Sequence, residues 1–406
     1  MESLLTRLKT EEFDYSLPSD LIAYEPLEKR DASRLMVIEK NEIKHGYYNE
    51  LHNHLSANAR LVFNNTKVIA ARLLFKNLQH ANIEIFLLEP ENGDYASLHQ
   101  KETSTWKCLI GGAKKWKNKE VLIKQINEEQ LTINLSATLV EKKDEAFVVT
   151  FQWNQSLAFY EILERFGNTP LPPYIKREAN INDVNRYQTV FATSEGSVAA
   201  PTAGLHFTND LLEKLRQKNI QLSYLTLHVG AGTFKPVTTS SIAEHTMHKE
   251  FFEVTVDSIA ALCDASSNII PVGTTSLRTL ESLYWIGLKL YHGITGLSAL
   301  NNLEQWEHFK LMKLEQPSYI TIFNHLLEVM KKNGMQTIHG HTGICITPGY
   351  NYKVAKGLIT NFHQPQSTLL LIIASMLGDQ WKNVYKIAIE EKYRFLSYGD
   401  GMLILM

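Results

Sequence analysis

From about Val68 to Phe151 the chain carries six short apolar runs, and none repeats with the spacing of a helix. They are Val68–Phe75, Ile83–Leu88, Trp106–Ile110, Val121–Ile126, Leu131–Leu135 and Ala146–Trp153, parted by polar or Gly-containing breaks. In one of them Leu131, Ile133 and Leu135 alternate with Thr132 and Asn134, the period of a strand with one covered face. Strands this short and closely spaced predict a small antiparallel barrel or sandwich. The flanking chain has another texture. Upstream, Leu35–Ile38 and Leu61–Phe63 read as strands, the second ending at the turn cluster Asn64-Asn65-Thr66. Downstream, strand, turn and helix follow one another. Ser156 can cap a helix over Leu157–Phe166 stopped by Gly167, and Thr208 one over Asn209–Lys218. Gln221–Val229 alternates as a strand. Ile269–Val272 reads as a buried strand leading to a helix over Ser276–Ile286, with Gly287 after it. Ser367 or Thr368 caps Leu369–Leu377, and a last helix covers Trp381–Lys392. The expectation is an α/β fold: a discontinuous mixed-sheet catalytic domain, 1–67 and 152–406, with an inserted antiparallel β-barrel domain at 68–151.

A chain of 406 residues with 44% apolar content is long enough for two such cores. Lys and Arg total 41 against 43 Asp and Glu, a formal charge of −2, so an anionic partner needs a local basic patch. Three cysteines without a C-x-x-C exclude a disulfide framework and a Cys-rich zinc site. His245 and His248 lie three apart without a carboxylate motif, so no metal is expected. The longest apolar stretch, Thr368–Leu377, is too short to span a bilayer and reads as a buried helix. Met1–Glu12 carries charges throughout and no apolar segment, so no signal peptide is expected. A cytoplasmic monomer is the expectation, since no heptad pattern marks a partner helix.

Four segments hold residues suited to chemistry. Leu227–Phe234 ends a strand in Gly230 and Gly232, either a nucleotide-cradling loop or a plain tight turn; it lacks the third glycine of a dinucleotide fingerprint. Gly273-Thr274-Thr275 opens a helix after a strand, a natural anion site, or else an ordinary capped helix. Arg278 in its first turn is unfavourable for the helix dipole and points to an acidic partner. Pro201–Thr208 holds His206, and Thr360–Thr368 holds Asn361 and His363 before a buried helix. Lys114-Lys115-Trp116-Lys117 and Lys176-Arg177 after Tyr174 are basic clusters beside aromatics, suited to phosphates and base stacking or simply solvated.

Together these blocks resemble the S-adenosylmethionine:tRNA ribosyltransferase-isomerase family. The resemblance runs from Phe13 to the C-terminus through Phe13–Pro18, Arg30–Leu35, Phe63–Ile69, Glu164–Gly167, Leu171–Ile175, Arg186–Phe191 and Gly196–Thr208. It continues through Thr226–Val237, His245–Glu250, Val272–Glu281, Pro348–Tyr350, Thr360–Leu370 and Tyr393–Asp400. The family pattern has Asp at Asn65, Arg at Lys67, His at Asn168, Lys at Gln366 and Ala at Gly401. The segment Leu288–His339 is longer than the usual connection. The resemblance implies S-adenosylmethionine as co-substrate and no metal. Its ribosyl part is transferred to 7-aminomethyl-7-deazaguanine in the tRNA wobble position, giving epoxyqueuosine-tRNA, adenine and methionine. On this view His206, His228, His363 and Asp400 are the acid–base candidates. Gly230, Gly232, Thr233, Thr274, Thr275 and Arg278 frame the co-substrate. Lys114, Lys115, Lys117, Arg165, Tyr174, Lys176 and Arg186 contact RNA. The alternative is a diverged, non-catalytic tRNA-binding paralogue of the same fold.

Overall fold

The computed structural model describes residues 7–40, 42–117, 120–128, 131–143, 145–230, 237–264, 268–296 and 302–406. The first strands are β1 (Arg34–Glu39), β2 (Glu42–Tyr47), β3 (Ala59–Asn64) and β4 (Thr66–Val68). Then come β5 (Arg72–Lys76), β6 (Asn82–Pro90), β7 (Thr103–Gly111), β8 (Val121–Glu128), β9 (Leu131–Lys143) and β10 (Ala146–Trp153). All six expected apolar runs fall in strands, but Val68–Phe75 is divided between β4 and β5. With the short β11 (Gly167–Asn168), β5 to β10 form one antiparallel sheet in the order β11-β5-β6-β7-β10-β9-β8. β8 lies against β5, yet no ladder joins them among the described residues, so the hydrogen bonding leaves the sheet open. Its core runs past residue 151: Trp153, Phe159, Ile162, Leu163 and Phe166 pack on Trp106, Ile133 and Leu135.

Those phenylalanines sit on α1 (Phe159–Phe166), which begins later than Ser156 would set it. Ala158 is its first flanking residue, and Glu161 reaches back to accept the Ala158 N–H at 2.8 Å. Gly167 ends it as expected. Next come α2 (Ile181–Arg186), β12 (Ser194–Ser197), α3 (Asn209–Gln217, capped by Thr208), β13 (Gln221–His228), β14 (Glu250–Thr255), α4 (Val256–Leu262) and β15 (Asn268–Pro271). After α5 (Thr274–Tyr291) the chain forms β16 (Asn302–Leu303), α6 (Glu307–Leu311), α7 (Tyr319–Lys332), β17 (Thr337–Thr342) and β18 (Gly357–Asn361). It closes with α8 (Thr368–Leu377, capped by Ser367), α9 (Gln380–Glu390) and β19 (Gly401–Leu405).

A six-stranded mixed sheet has the order β15-β3-β13-β14-β17-β16, with β15, β3 and β13 parallel. A four-stranded sheet has the order β18-β19-β1-β2. A parallel bridge between Val272 and Ile359 joins their edges, so β18 runs with β15, β3 and β13. Four strands therefore deliver their carboxyl ends to one rim, where an open α/β sheet places its ligands. β4 and β12 form a short parallel pair beside that rim.

Helix α5 does not stop at Gly287. It continues to Tyr291, and every residue from Thr274 to Lys289 is buried. A Cβ at Gly287 would lie 2.6 Å from Ile322 Cγ2, so glycine here permits close approach of α7 and does not end the helix. Within the Leu288–His339 segment, α6 and α7 thereby gain a structural role: they pack against α5. Lys289, itself buried, donates to Asn302 O at 2.8 Å and to Glu307 Oε1 at 2.9 Å.

Candidate active site

At the rim, β3 ends in Asn64, a buried amide that joins three elements. Its Nδ2 donates to Leu227 O at 2.8 Å and to Thr275 Oγ1 at 3.4 Å, and its Oδ1 accepts from Leu227 N at 3.0 Å. This fixes the start of α5 against the end of β13. Gly273, at φ +91°, turns the chain into α5 and leaves the helix without a side-chain cap. The first-turn N–H groups of a long helix are thus available where Thr274 and Thr275 line an inner cavity of about 80 Å³. His363, Asn361, Ser397 and Tyr174 line the same cavity.

The two histidines near β18 are held by successive residues of its last turn. Thr360 Oγ1 lies 2.9 Å from His363 Nε2, and Asn361 Nδ2 donates to His206 Nε2 at 3.1 Å. The other nitrogen of His206, Nδ1, is 3.0 Å from Ser33 Oγ, and the ring stacks on Tyr48 at 4.2 Å. An amide N–H on Nε2 makes Nδ1 the protonated nitrogen. His206 is therefore bonded on both sides, and it lines only a narrow notch beside the inner cavity.

His228 ends β13 on the opposite side. Its Nδ1 is 2.9 Å from Thr66 Oγ1, and its ring stacks on Tyr95 at 4.2 Å. Gly196, at φ +147°, makes room for that stack: a Cβ there would stand 2.7 Å from both His228 and Tyr95. His228 faces an outer cleft between the antiparallel sheet and β14. Cavities of about 450 and 520 Å³ meet there, sharing Gly230, His248 and Glu250. Burial pulls His206, His228 and His363 each down to about 3, so all three are neutral imidazoles at pH 7 and able to accept a proton.

Arg278 lies under the outer cleft, only 5% exposed. Its Nη1 donates to the buried Glu250 carboxylate and its Nε to Ile344 O at 3.2 Å, whereas Nη2 has no partner among the described residues. The acidic partner expected for Arg278 is thus internal in part, with one buried N–H group left over. Val229 lines the inner cavity and Gly230 the outer cleft, so the chain crosses between them there. Gly232 and Thr233 lie outside the described residues.

Of the remaining candidates, Tyr174 lines the inner cavity and Arg186 the notch, and the others are dispersed. Asp400 lines none of these cavities. Its Oδ1 and Oδ2 accept the backbone N–H groups of Arg34 and Arg394, both at 2.8 Å, and burial raises its pKa. Lys114, Lys115, Lys117 and Lys176 are at the surface. Trp116 is 5% exposed and donates to Glu120 O at 2.9 Å, so its ring packs into the sheet core and cannot stack on a base. Arg165 is held by Glu128 and Glu161 O, Arg186 by the carbonyls of Leu27 and Glu28, and Tyr174 by Ser397. Sequence reading overlooked Asn64, Tyr95, Glu250 and Ser397. Only Asn64 left a signal, as a polar residue closing the apolar run Leu61–Phe63.

Comparison with known proteins covers the whole chain. The sequence model of a family described as "Queuosine biosynthesis protein" matches residues 10–404. The S-adenosylmethionine:tRNA ribosyltransferase-isomerase of Thermotoga petrophila is 38% identical over 405 residues, 98% of this chain and 100% of that protein. The protein of the same name from Sulfurihydrogenibium sp. is 37% identical over the same shares. The crystal structure of S-adenosylmethionine tRNA ribosyltransferase from Thermotoga maritima is 28% identical. The match covers 97% of this chain and 100% of that one, with a TM-score of 0.45.

Proposed function

Because the chain belongs to the queuosine biosynthesis protein family, we propose that it is itself an S-adenosylmethionine:tRNA ribosyltransferase-isomerase. The observation that carries this is 38% identity along 98% of the chain to a protein of that name. The reaction joins the ribosyl part of S-adenosylmethionine to 7-aminomethyl-7-deazaguanine in the tRNA wobble position. Adenine and methionine leave, and the sugar becomes the epoxycyclopentane of epoxyqueuosine. The setting is the cytoplasm, the protein acts as a monomer, and no metal takes part.

The chain's own groups suit the demands of that chemistry. The sulfonium makes the adjacent ribose C5′ protons acidic, and a neutral imidazole can remove one. His363 on the inner cavity and His228 on the outer cleft are the acceptors in this reading; His206, bonded on both nitrogens, positions Asn361. The methionine carboxylate takes the unpartnered Arg278 Nη2, while Thr274 and Thr275 present helix N–H groups to polar oxygens. Gly230, with Gly232 and Thr233 beyond it, frames the passage between cavity and cleft. Lys114, Lys115, Lys117 and Lys176 approach the RNA backbone. Residues 68–151 act as an inserted barrel-like domain, a reading supported by their contiguous antiparallel strands, whose core also takes in α1.

Three of the departures from the family pattern, Asn65, Lys67 and Gln366, are locally satisfied. Asn65 accepts from Thr226 Oγ1 at 2.7 Å and donates to Thr193 Oγ1 at 3.0 Å, a donor an aspartate lacks. Lys67 retains ion pairs with Glu164 and Glu195, and Gln366 donates to Asp14 at 3.0 Å. Isotopic labelling tests the reaction class. Label in the ribose of the co-substrate must enter tRNA bearing the aminomethyl base, and label in the methyl group must stay with methionine. Methyl label in the tRNA would establish a methyltransferase instead.

A further inference from the structure

Three blocks that the family resemblance rests on meet beside His206. They contribute Arg30, Arg186 and Arg394. Arg30 donates to Leu205 O at 3.1 Å, to Asn185 O at 2.5 Å and to Arg186 O at 3.4 Å, so it lies directly against Arg186. Arg186 donates to the carbonyls of Leu27 and Glu28, and Arg394 to that of Glu25. Among the described residues, the three guanidinium groups donate to neutral backbone carbonyls. Nearby carboxylates have other partners: Glu25 and Asp183 bind Arg177, Asp31 accepts from Thr208, and Asp400 accepts two backbone N–H groups.

Positive charge is therefore gathered here, offset at Arg394 in part by the Asp400 carboxylate. Arg186 Nε and Arg394 Nη1 are buried without a hydrogen-bond partner among the described residues. Arg30 is drawn down to about 10 by burial and by the Arg186 charge. Between Arg30 and Arg186 opens the notch, whose volume of about 10 Å³ suits one oxygen atom. Ser33 and Ser397 line it too, and Ser397 also lines the inner cavity, so an anion seated here lies next to the candidate reaction site.

We propose that Arg30 and Arg186, which line the notch, form an oxyanion seat that takes a phosphodiester oxygen of the tRNA beside the reacting nucleotide, with Arg394 adding its charge from outside the notch. This rests on the tRNA reading above. A carboxylate, that of methionine, is the other source of such an oxyanion, and the test separates the two. A fluorescent anticodon stem-loop is titrated with wild-type protein, Arg30→Gln and Arg394→Gln across a salt series, and methionine binding is measured in parallel. The expected result is about tenfold weaker RNA binding in each variant. The slope of log affinity against log salt becomes shallower by about 0.7, one lost single-strand phosphate contact, while methionine binding is unchanged. Inorganic phosphate should raise the wild-type melting temperature and leave the Gln variants unmoved. Arg30→Lys, which keeps the charge and loses the planar fork, should retain the wild-type salt slope. Unchanged RNA affinity and slope in both folded Gln variants would overturn the seat, as would a loss confined to methionine. Should wild-type protein fail to bind the stem-loop, the tRNA reading itself fails.

Discussion

Replacing Glu250 by Gln removes the anion from the Arg278 pair while keeping its shape. Both residues are 5% exposed, so the charge left on Arg278 cannot be hydrated without opening the cleft floor. The guanidinium would retain Ile344 O and an amide oxygen, with Nη2 already unpartnered. Breaking a buried pair on one side costs about 3–5 kcal/mol, a large share of a stability of about 5–15 kcal/mol. Equilibrium urea unfolding, read as a shift in midpoint at constant slope, measures it. Glu250→Leu combined with Arg278→Met removes both charges and should cost less than Glu250→Gln alone. That folded double variant should still show a raised KM for the co-substrate, because Nη2 is gone. A cost below about 1 kcal/mol for Glu250→Gln would show the guanidinium to be solvated and refute the reasoning. So would a double variant as unstable as the two single losses added together.

Three other outcomes are expected. Gly196→Ala puts a methyl group 2.7 Å from His228 and Tyr95, so near-ultraviolet circular dichroism should report a disturbed Tyr95 and activity should fall at least tenfold; wild-type spectra and rates would contradict the contact. Acid should destabilise the fold through three buried histidines. Each is pulled down to about 3, so as pH falls below 6.5 the unfolded chain takes up protons that the folded chain refuses. Stability drops by roughly 1.4 kcal/mol per pH unit per histidine between the two values, and His228→Gln should flatten the measured curve by one such slope. Finally, His363→Gln should lower kcat by about 10²–10⁴ with little change in the melting temperature, whereas His206→Gln should lower the melting temperature more. The reverse pattern would exchange their roles.

Local signals were legible in the sequence, and long-range ones were not. Ala146–Trp153 reads as a strand because β-branched and aromatic residues run between polar breaks, and its bounds agree with the structure. Thr208 and Ser367 are caps because their hydroxyls serve N–H groups three residues ahead. Gly287 misleads because its reason is Ile322, on another helix. The curl of the antiparallel sheet depends on how its end strands meet, which no single run encodes. At the site, His206, His228 and His363 all reach the rim, yet on separate walls. Neither the pairing of Arg278 with Glu250 nor the use of Asp400 to hold two backbone N–H groups could be read without the fold. Trp116, beside four lysines in sequence, turns inward because its indole N–H finds Glu120 O.

The most direct test is a product assay with S-adenosylmethionine and tRNA carrying 7-aminomethyl-7-deazaguanine. Adenine release and epoxyqueuosine in the digested tRNA, in equal amounts and only with the modified tRNA, is the result predicted. Intact co-substrate alongside tight tRNA binding would contradict it and mark a non-catalytic tRNA-binding relative.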